Sequence, residues 1–312
     1  MADIACVGIL VADLIGRPID AIPEKGRLGL VDNMSLHIGG CASNTGISLA
    51  KLGVSTSVIG KVGADGLGKF MLQTLEAEGI DTRGMTEDAT LNTSASMVLV
   101  DADGERTFIH YLGGNAEFRD TDVAWNIANE AKIFHVAGAL VMPAFDGEPM
   151  AAVLKQARAN GQITSLDVVW DATGKWMKTL APALVDLDYF MPSHSEAQMM
   201  TGYEAPSDVA KSLHDHGVKT VALKLGCEGC FVSGPSGVVQ VPGFKVEAVD
   251  GTGSGDAFDA GLLCGVMNGW DVERSARFAN AVGALCVTGV GATTGIRSMQ
   301  ATLDFMASQQ NQ

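Results

Sequence analysis

The sequence predicts a three-layer α/β/α fold with a mainly parallel central sheet, and three observations lead to it. Short, continuously apolar runs alternate with helix-period segments through most of the 312 residues. Glycine is abundant at 38 residues while aromatics are only 6%, which suits a large aliphatic core threaded by tight turns. No Pro/Ser-rich linker, charge block or internal repeat divides the chain, so a single domain over 1–312 is expected.

The runs at 4–9, 57–60, 133–136, 163–167, 189–192 and 220–225 read as buried strands. Strands covered on both faces lose the alternation of half-exposed ones and become continuously apolar. Helices are predicted near 44–52, 66–78, 147–159, 206–215, 256–268 and 272–288 from amphipathic or small-residue periodicity. One region breaks this rhythm. Residues 94–100, then Asp101-Ala102-Asp103-Gly104, then 106–111 read as a β-hairpin with a Gly-containing turn. Residues about 14–38 are also extended, rich in Gly and Pro, without helical periodicity. The two excursions, about 14–38 and 92–112, form either a small second sheet acting as a lid or a peripheral hairpin; pattern alone leaves both open.

Charge narrows the partners. With 36 Asp and Glu against 21 Lys and Arg, the formal net charge is −15. Such a chain is poorly suited to nucleic acid or an anionic membrane, where neutralising phosphates dominates binding. No window approaches the roughly 18 apolar residues of a membrane span, and the N-terminus lacks a basic n-region. Six scattered cysteines, mostly in apolar runs, read as buried thiols of a reducing compartment, so the cytoplasm is expected.

An anionic substrate therefore needs a local positive field, and Asp250-Gly251-Thr252-Gly253-Ser254-Gly255-Asp256 offers one. Glycines and small hydroxyls run straight into a small-residue helix, whose first amides are unpaired and carry roughly half a positive charge. The turn is thus an anion site into which a phosphate can come close. Asp256 inside it is either a helix cap or, beside a transferring phosphoryl group, a base. A second cluster, Gly39-Gly40-Cys41-Ala42-Ser43-Asn44, also opens a helix; it is a plain capped turn or a ligand site with Asn44 as donor and acceptor. Asp13 follows a strand end, where open α/β sheets bind ligands.

These three elements resemble the ribokinase family, the PfkB carbohydrate kinases, over roughly residues 4 to 306. Gly39-Gly40 through Asn44, then Gly53 and Gly63, resembles the family's N-terminal signature, with Gly46 where Ala, Ser or Thr is usual. Asp250 through Asp256 resembles the C-terminal signature, with Gly251 where Thr, Ser, Pro or Val is usual. The resemblance implies a ribokinase-like fold, a small β-sheet lid that is often a dimer contact, and hence a homodimer through the lid. It implies Asp256 as base and the amides of Gly253, Ser254, Gly255 and Asp256 as an anion hole. Asp13, Gly39, Gly40 and Asn44 would hold substrate hydroxyls. Lys224, Gly226 and Gly229 lie in a segment similar to the nucleotide-binding strand and turn, and Asn280 in one similar to the adenine-contacting helix. Ser193 and Glu196 match the Asn-x-x-Glu motif that organises Mg²⁺ and phosphate, with Ser replacing Asn; Glu196 would act on the metal through water. ATP and Mg²⁺ follow as cofactors. A monovalent cation is a further family feature, and Gly251 departs from the pattern there.

Other motifs weigh less. Gly63-Ala64-Asp65-Gly66-Leu67-Gly68-Lys69-Phe70 is one residue short of a P-loop, and Phe70 lacks the hydroxyl that holds Mg²⁺; a structural role near the lid fits it better. Cys227-Glu228-Gly229-Cys230 would need two more zinc ligands, and His214 and His216 point to different sides of a helix, so a hairpin turn with buried thiols is expected. His37, His110 and His135 read as packing or hydrogen-bonding residues, with His37 and His110 placed to reach substrate from the lid.

The expected reaction is phosphoryl transfer from Mg·ATP to a ribose-, fructose- or ketodeoxygluconate-like sugar. A nucleoside comes second, as no aromatic base clamp is visible in the sequence. A nucleotide- or sugar-binding regulator with weak catalysis is the rival, kept open by Ser193 and Gly251. A Rossmann dehydrogenase would want G-x-G-x-x-G after the first strand, and residues 8–13 do not supply it.

Overall fold

The computed structural model describes residues 2–309. In chain order the strands begin with β1 (Ile4–Gly8), β2 (Val11–Arg17), β3 (Asn33–Gly39), β4 (Thr56–Gly63), β5 (Asp81–Asp88), β6 (Ala95–Val100) and β7 (Arg106–Tyr111). They continue with β8 (Ile133–Ala139), β9 (Ile163–Val168), β10 (Tyr189–Phe190), β11 (Thr220–Lys224), β12 (Cys230–Gly234) and β13 (Gly237–Val241). The helices are α1 (Cys41–Lys51), α2 (Gly66–Ala77), the one-turn α3 (Gly113–Ala116) and α4 (Trp125–Ala128), α5 (Glu148–Ala159), α6 (Met177–Leu184), α7 (His194–Thr201), α8 (Pro206–Asp215), α9 (Ser254–Met267), α10 (Val272–Cys286) and α11 (Met299–Gln309).

Nine strands form the central sheet in the order β13-β12-β11-β10-β9-β8-β1-β4-β5, parallel from β5 to β11 and closed at one edge by the antiparallel β12 and β13. β1 lies between β4 and β8, both parallel to it, and the chain leaves β1 first towards β4 and later towards β8. Strand order reverses there, so a crevice opens beyond the carboxyl ends of the strands. β1, β4 and β8 are buried at every position, which explains the apolar runs within them, although β4 also buries Thr56, Ser57 and Lys61.

The predicted runs locate the central strands, but β4 and β8 extend beyond them and β10 keeps only two residues. β5, β12 and β13 fall outside the runs. β5 and β13 are sheet edges with part-exposed, polar-containing sequences, so burial never imposed an apolar run on them. α9 starts at Ser254, two residues before the predicted boundary.

Helices α9 and α10 cross closely. A Cβ on Gly261 would strike the Ala279 backbone and one on Gly265 would strike Ser275, so glycine sets the approach. Their packing fully buries Phe278, Leu263 and Val282, each contributing roughly 1.5–3 kcal/mol. In α1, Gly46 lies against Val58 and Thr56 of β4, which explains a glycine where a slightly larger residue is usual.

The two excursions form a separate four-stranded sheet, β3-β2-β6-β7, with β2 and β6 parallel and the outer pairs antiparallel. The predicted hairpin is β6–β7, and the extended 14–38 segment supplies β3 and most of β2. Strand alternation gives this sheet two characters. Asp13, His37, Ser96, His110, Phe108 and Arg106 share one face by register; Leu14, Leu36, Met97 and Ile109 share the other.

Candidate active site

The N-terminus of α9 opens onto a cleft of about 720 Å³. Gly253 takes φ 75° and packs against Ala292, and no side chain caps the helix. Among the described residues the amides of Gly253, Gly255 and Asp256 take no hydrogen bond, while that of Ser254 has only a long one, 3.4 Å, to the Gly251 carbonyl. Four donors at a helix start thus face a cavity, with the helix dipole behind them.

Asp256 sits in that first helical turn with its side chain buried. Asn44 Nδ2 donates to its Oδ2 at 2.9 Å. Burial, followed by the negative charge of Asp167, pushes the Asp256 carboxyl up to about 6. A carboxylate of this basicity near neutral pH is suited to handling a proton. Among the described residues Asn44 Oδ1 is buried and has no hydrogen-bond partner, an open acceptor beside the carboxylate.

Beneath the turn lies a second charged cluster. Lys224 Nζ, at the carboxyl end of β11, contacts Asp167 Oδ1 at 2.8 Å and Asp259 Oδ2 at 3.3 Å. A Cβ on Gly255 would come within 3.3 Å of the same Nζ, so glycine leaves the ammonium directly under the helix start. Burial alone would lower the Lys224 ammonium, but Asp167 and Asp259 outweigh it and hold it above the ordinary lysine value. Asp167, Asp256 and Asp259 each bring one oxygen within 4.8 Å of the others. Lys224 already supplies the cation of this triad.

Ser193 caps α7 in a capping box with Glu196. Glu196 Oε2 accepts from the Ser193 amide at 2.8 Å and from its hydroxyl at 2.6 Å. Burial and Asp167 raise the Glu196 carboxyl, with the Ser193 bonds opposing. Both residues line the cleft, as do Lys224, Gly226, Gly229 and Asn280. Asn280 Nδ2 is committed to the carbonyls of Val241 and Pro242, at 3.1 and 3.2 Å, so it holds the cleft wall together.

The first glycine cluster differs from its simplest reading. Gly40 takes φ 90° and a Cβ there would strike Ile9 and Leu10, while one on Gly39 would strike the Asp13 carboxylate. These glycines make room for the protein's own atoms, bringing Asp13 against the start of α1. Burial raises the Asp13 carboxyl, opposed by Ser96 and His37.

Three residues at the site carry no motif of their own: Asp167, Asp259 and Arg106. Arg106 Nη1 reaches from β7 to Asp250 Oδ1 at 2.6 Å and hydrogen-bonds Thr252 Oγ1. Asp167 ends an apolar run, the one signal that marked it as a strand-end acid. The remaining motifs prove structural. Asp65 caps α2 through the Gly68 amide at 2.8 Å and accepts from Thr93 at 2.8 Å, tying the helix to the segment entering β6. Cys230 is buried but Cys227 is exposed and Cys41 partly so, which corrects the expectation of buried thiols. His214 bonds Val218 and Ser233, and His216 bonds Ser212, so neither turns to the CxxC. His37 bonds Ser35 at 2.7 Å, His110 bonds Ser96 at 3.1 Å and His135 bonds Ser165 at 2.9 Å.

A fold of this kind, with an amide-lined turn and a raised carboxyl at the strand ends, defines a phosphotransferase-type site. Residues 1–299 match the model of the pfkB family carbohydrate kinases, and the chain belongs to that family. It is similar to a probable fructokinase-7 of Arabidopsis thaliana, 29% identical over 309 residues, covering 93% of this chain and 90% of the relative. It is also similar to a ribokinase of Haemophilus influenzae, 28% identical over 306 residues, covering 96% and 97%. Among solved structures, a putative ribokinase II of E. coli in complex with ATP and Mg²⁺ superposes with a TM-score of 0.85 at 24% identity, covering 99% and 100%. A ribokinase of Arabidopsis thaliana with ribose and ATP gives 0.84 at 24%, covering 98% of each chain. A nucleoside kinase of Methanocaldococcus jannaschii gives 0.81 at 19%, covering 99% of each. The ribokinase-like fold is thereby established, and the chain is a carbohydrate kinase acting on a sugar hydroxyl.

Proposed function

We propose that this kinase transfers the γ-phosphoryl group of ATP to a ribose- or fructose-like sugar, with Asp256 as the base and the 253–256 turn as the anion hole. The observation that carries this reading is the set of unengaged amides at Gly253, Gly255 and Asp256, open to the cleft around a carboxyl raised to about 6. The sugar hydroxyl gives its proton to Asp256 as its oxygen bonds to the γ-phosphorus, and the bond to the β-phosphate bridging oxygen breaks to release ADP. Free amides and the α9 dipole offset the charge on the transferring oxygens. Asn44 orients Asp256 and offers Oδ1 to a substrate hydroxyl; Asp13, from the smaller sheet, holds another. The residues present suit Mg·ATP: unpaired donors for phosphate, Lys224 below them, and Glu196 beside Ser193 in the cleft wall. Mg²⁺ there would neutralise nucleotide phosphate charge, with Glu196 holding it through water.

The smaller sheet acts as a lid, its polar face carrying Asp13, His37, Ser96 and His110 towards the site. Its other face leaves Leu14, Leu36, Met97, Ile109 and Tyr111 exposed, an apolar area that fits a second copy of the chain as a homodimer contact. All six cysteines are free thiols, which supports a reducing, cytoplasmic location.

A nucleoside acceptor is the second reading. Phe108 is 57% exposed on the lid face that carries Arg106, an aromatic surface suited to stacking a base.

Asp256→Asn tests the site, with turnover expected to fall by about 10³-fold or more while ATP affinity stays within a few-fold. Turnover near wild type would refute Asp256 as base. A panel of sugars and nucleosides assayed for ADP release identifies the acceptor, and activity on nucleosides alone would put the nucleoside reading first.

A further inference from the structure

Asp250 opens the anion-binding turn, and its side chain is only 1% exposed. Its Oδ1 accepts from the Thr252 amide at 2.8 Å and from Arg106 Nη1 at 2.6 Å; its Oδ2 accepts from the Gly291 amide at 2.8 Å. The Asp250 carboxylate therefore binds three segments at once: its own turn, the 289–292 loop against which Gly253 packs, and strand β7 of the smaller sheet. Among the described residues Arg106 is its single ion-pair partner. Lys51, which reaches the adjoining residue Thr293, is committed to its carbonyl at 2.9 Å. Arg106 belongs to the same lid face as Asp13, Ser96 and His110, so the sheet cannot lift from the cleft without breaking this contact.

We propose that Arg106 is a positioning residue that couples lid closure to the anion-binding turn, its guanidinium serving as the built-in counter-cation of Asp250. The inference rests on the reading of 253–256 as the phosphate-binding turn. It also bears on the monovalent cation that the family resemblance implies. The Asp250 carboxylate already has a cation and two amides, and nothing crowds Gly251 or reaches towards Asp250 from it. These residues do not fit an additional cation at Asp250. With the lid open, Asp250 is a buried anion lacking its opposite charge, and the turn loses one of its three ties. Sugar binding closes the lid, and the same motion orders the amides that receive the phosphoryl group.

Arg106→Met tests this by two independent readouts. In steady-state kinetics kcat is expected to fall about 30- to 100-fold, with KM for ATP changing about twofold at most. Added guanidinium ion is expected to restore kcat at least about fivefold in Arg106→Met but not in Arg106→Met/Asp250→Asn, and Arg106→Lys to retain an intermediate rate. Wild-type activity is expected to be the same in K⁺, Na⁺ and choline salts. Hydrogen exchange needs no turnover. Amides 251–256 are expected to exchange at least about tenfold faster in Arg106→Met than in wild type. Should Arg106→Met not fold, the double variant, which buries no unpaired charge, is expected to fold, lose kcat, exchange fast at 251–256 and ignore guanidinium.

Unchanged exchange at 251–256 overturns the coupling. So does a kcat within about twofold of wild type, or a guanidinium response that survives in the double variant. A wild type that turns over no sugar or nucleoside, yet loosens this turn when Arg106 is replaced, would sink the phosphate-site reading and leave the Arg106–Asp250 tie standing.

Discussion

Asn44 donates from Nδ2 to Asp256 Oδ2 at 2.9 Å, joining the starts of two glycine-led helices that lie 212 residues apart in sequence. That bond holds the Asp256 carboxyl lower than burial alone would leave it. Asn44→Ala should therefore raise the apparent carboxyl value above about 6 and move the acid limb of the kcat profile to higher pH. A charge-assisted hydrogen bond contributes about 1.5–3 kcal/mol, so kcat near neutral pH should fall roughly 10- to 100-fold. A pH–rate profile checks both effects, and an acid limb at its original position would count against the contact's role.

The raised Asp256 carboxyl also makes stability depend on pH in a defined direction. Its ordinary value is 3.8 and its folded value about 6, so the folded chain holds this proton more tightly than the unfolded chain. The group's stabilising contribution is complete below about 4 and is lost as pH rises through about 6. At pH 8 the ionised carboxylate then costs about 3 kcal/mol. Asp256→Asn should be more stable than wild type by about that amount at pH 8 and indistinguishable near pH 4, as urea midpoints at both pH values would show. An inactive variant that is more stable is the expected signature of a strained functional group.

Lys224 is the counter-charge of a buried cluster. Lys224→Met removes the cation from Asp167 and Asp259 and should destabilise the fold by about 3–5 kcal/mol. Pairing it with Asp167→Asn should recover a large part of that loss while leaving phosphoryl transfer impaired. Equal denaturation midpoints for wild type and Lys224→Met would show that the buried carboxylates are neutral without the lysine.

The outer face of the smaller sheet should govern association. Met97→Glu or Ile109→Lys places a charge in the row that also holds Leu14 and Leu36. Light scattering should give a dimer for wild type and a monomer for either variant, since an unpaired charge in an apolar interface costs several kcal/mol. A wild type that is monomeric at all accessible concentrations would remove the dimer.

Much of the architecture was legible in residue order because burial on both faces forces apolar runs. β1, β8, β9 and β11 announce themselves that way, and the glycine turns before α1 and α9 mark helix starts with free amides. β5 and β13 did not announce themselves, since an edge strand needs no uniform apolarity. Residue types alone also set the acidic charge and the resemblance to the kinase signatures. Only the tertiary structure decided which side chains meet. Asp167 and Asp259 become a charge cluster because β9, β11 and α9 converge on Lys224, and Arg106 becomes a partner of Asp250 because the fold brings β7 against the turn that opens α9. The glycines at 39 and 40 turned out to accommodate Asp13 and the link from β1 to β2. The physical reason is range: periodicity and helix-start chemistry act over a few neighbouring residues, whereas an ion pair or a raised carboxyl depends on what the fold brings within a few ångströms from elsewhere in the chain.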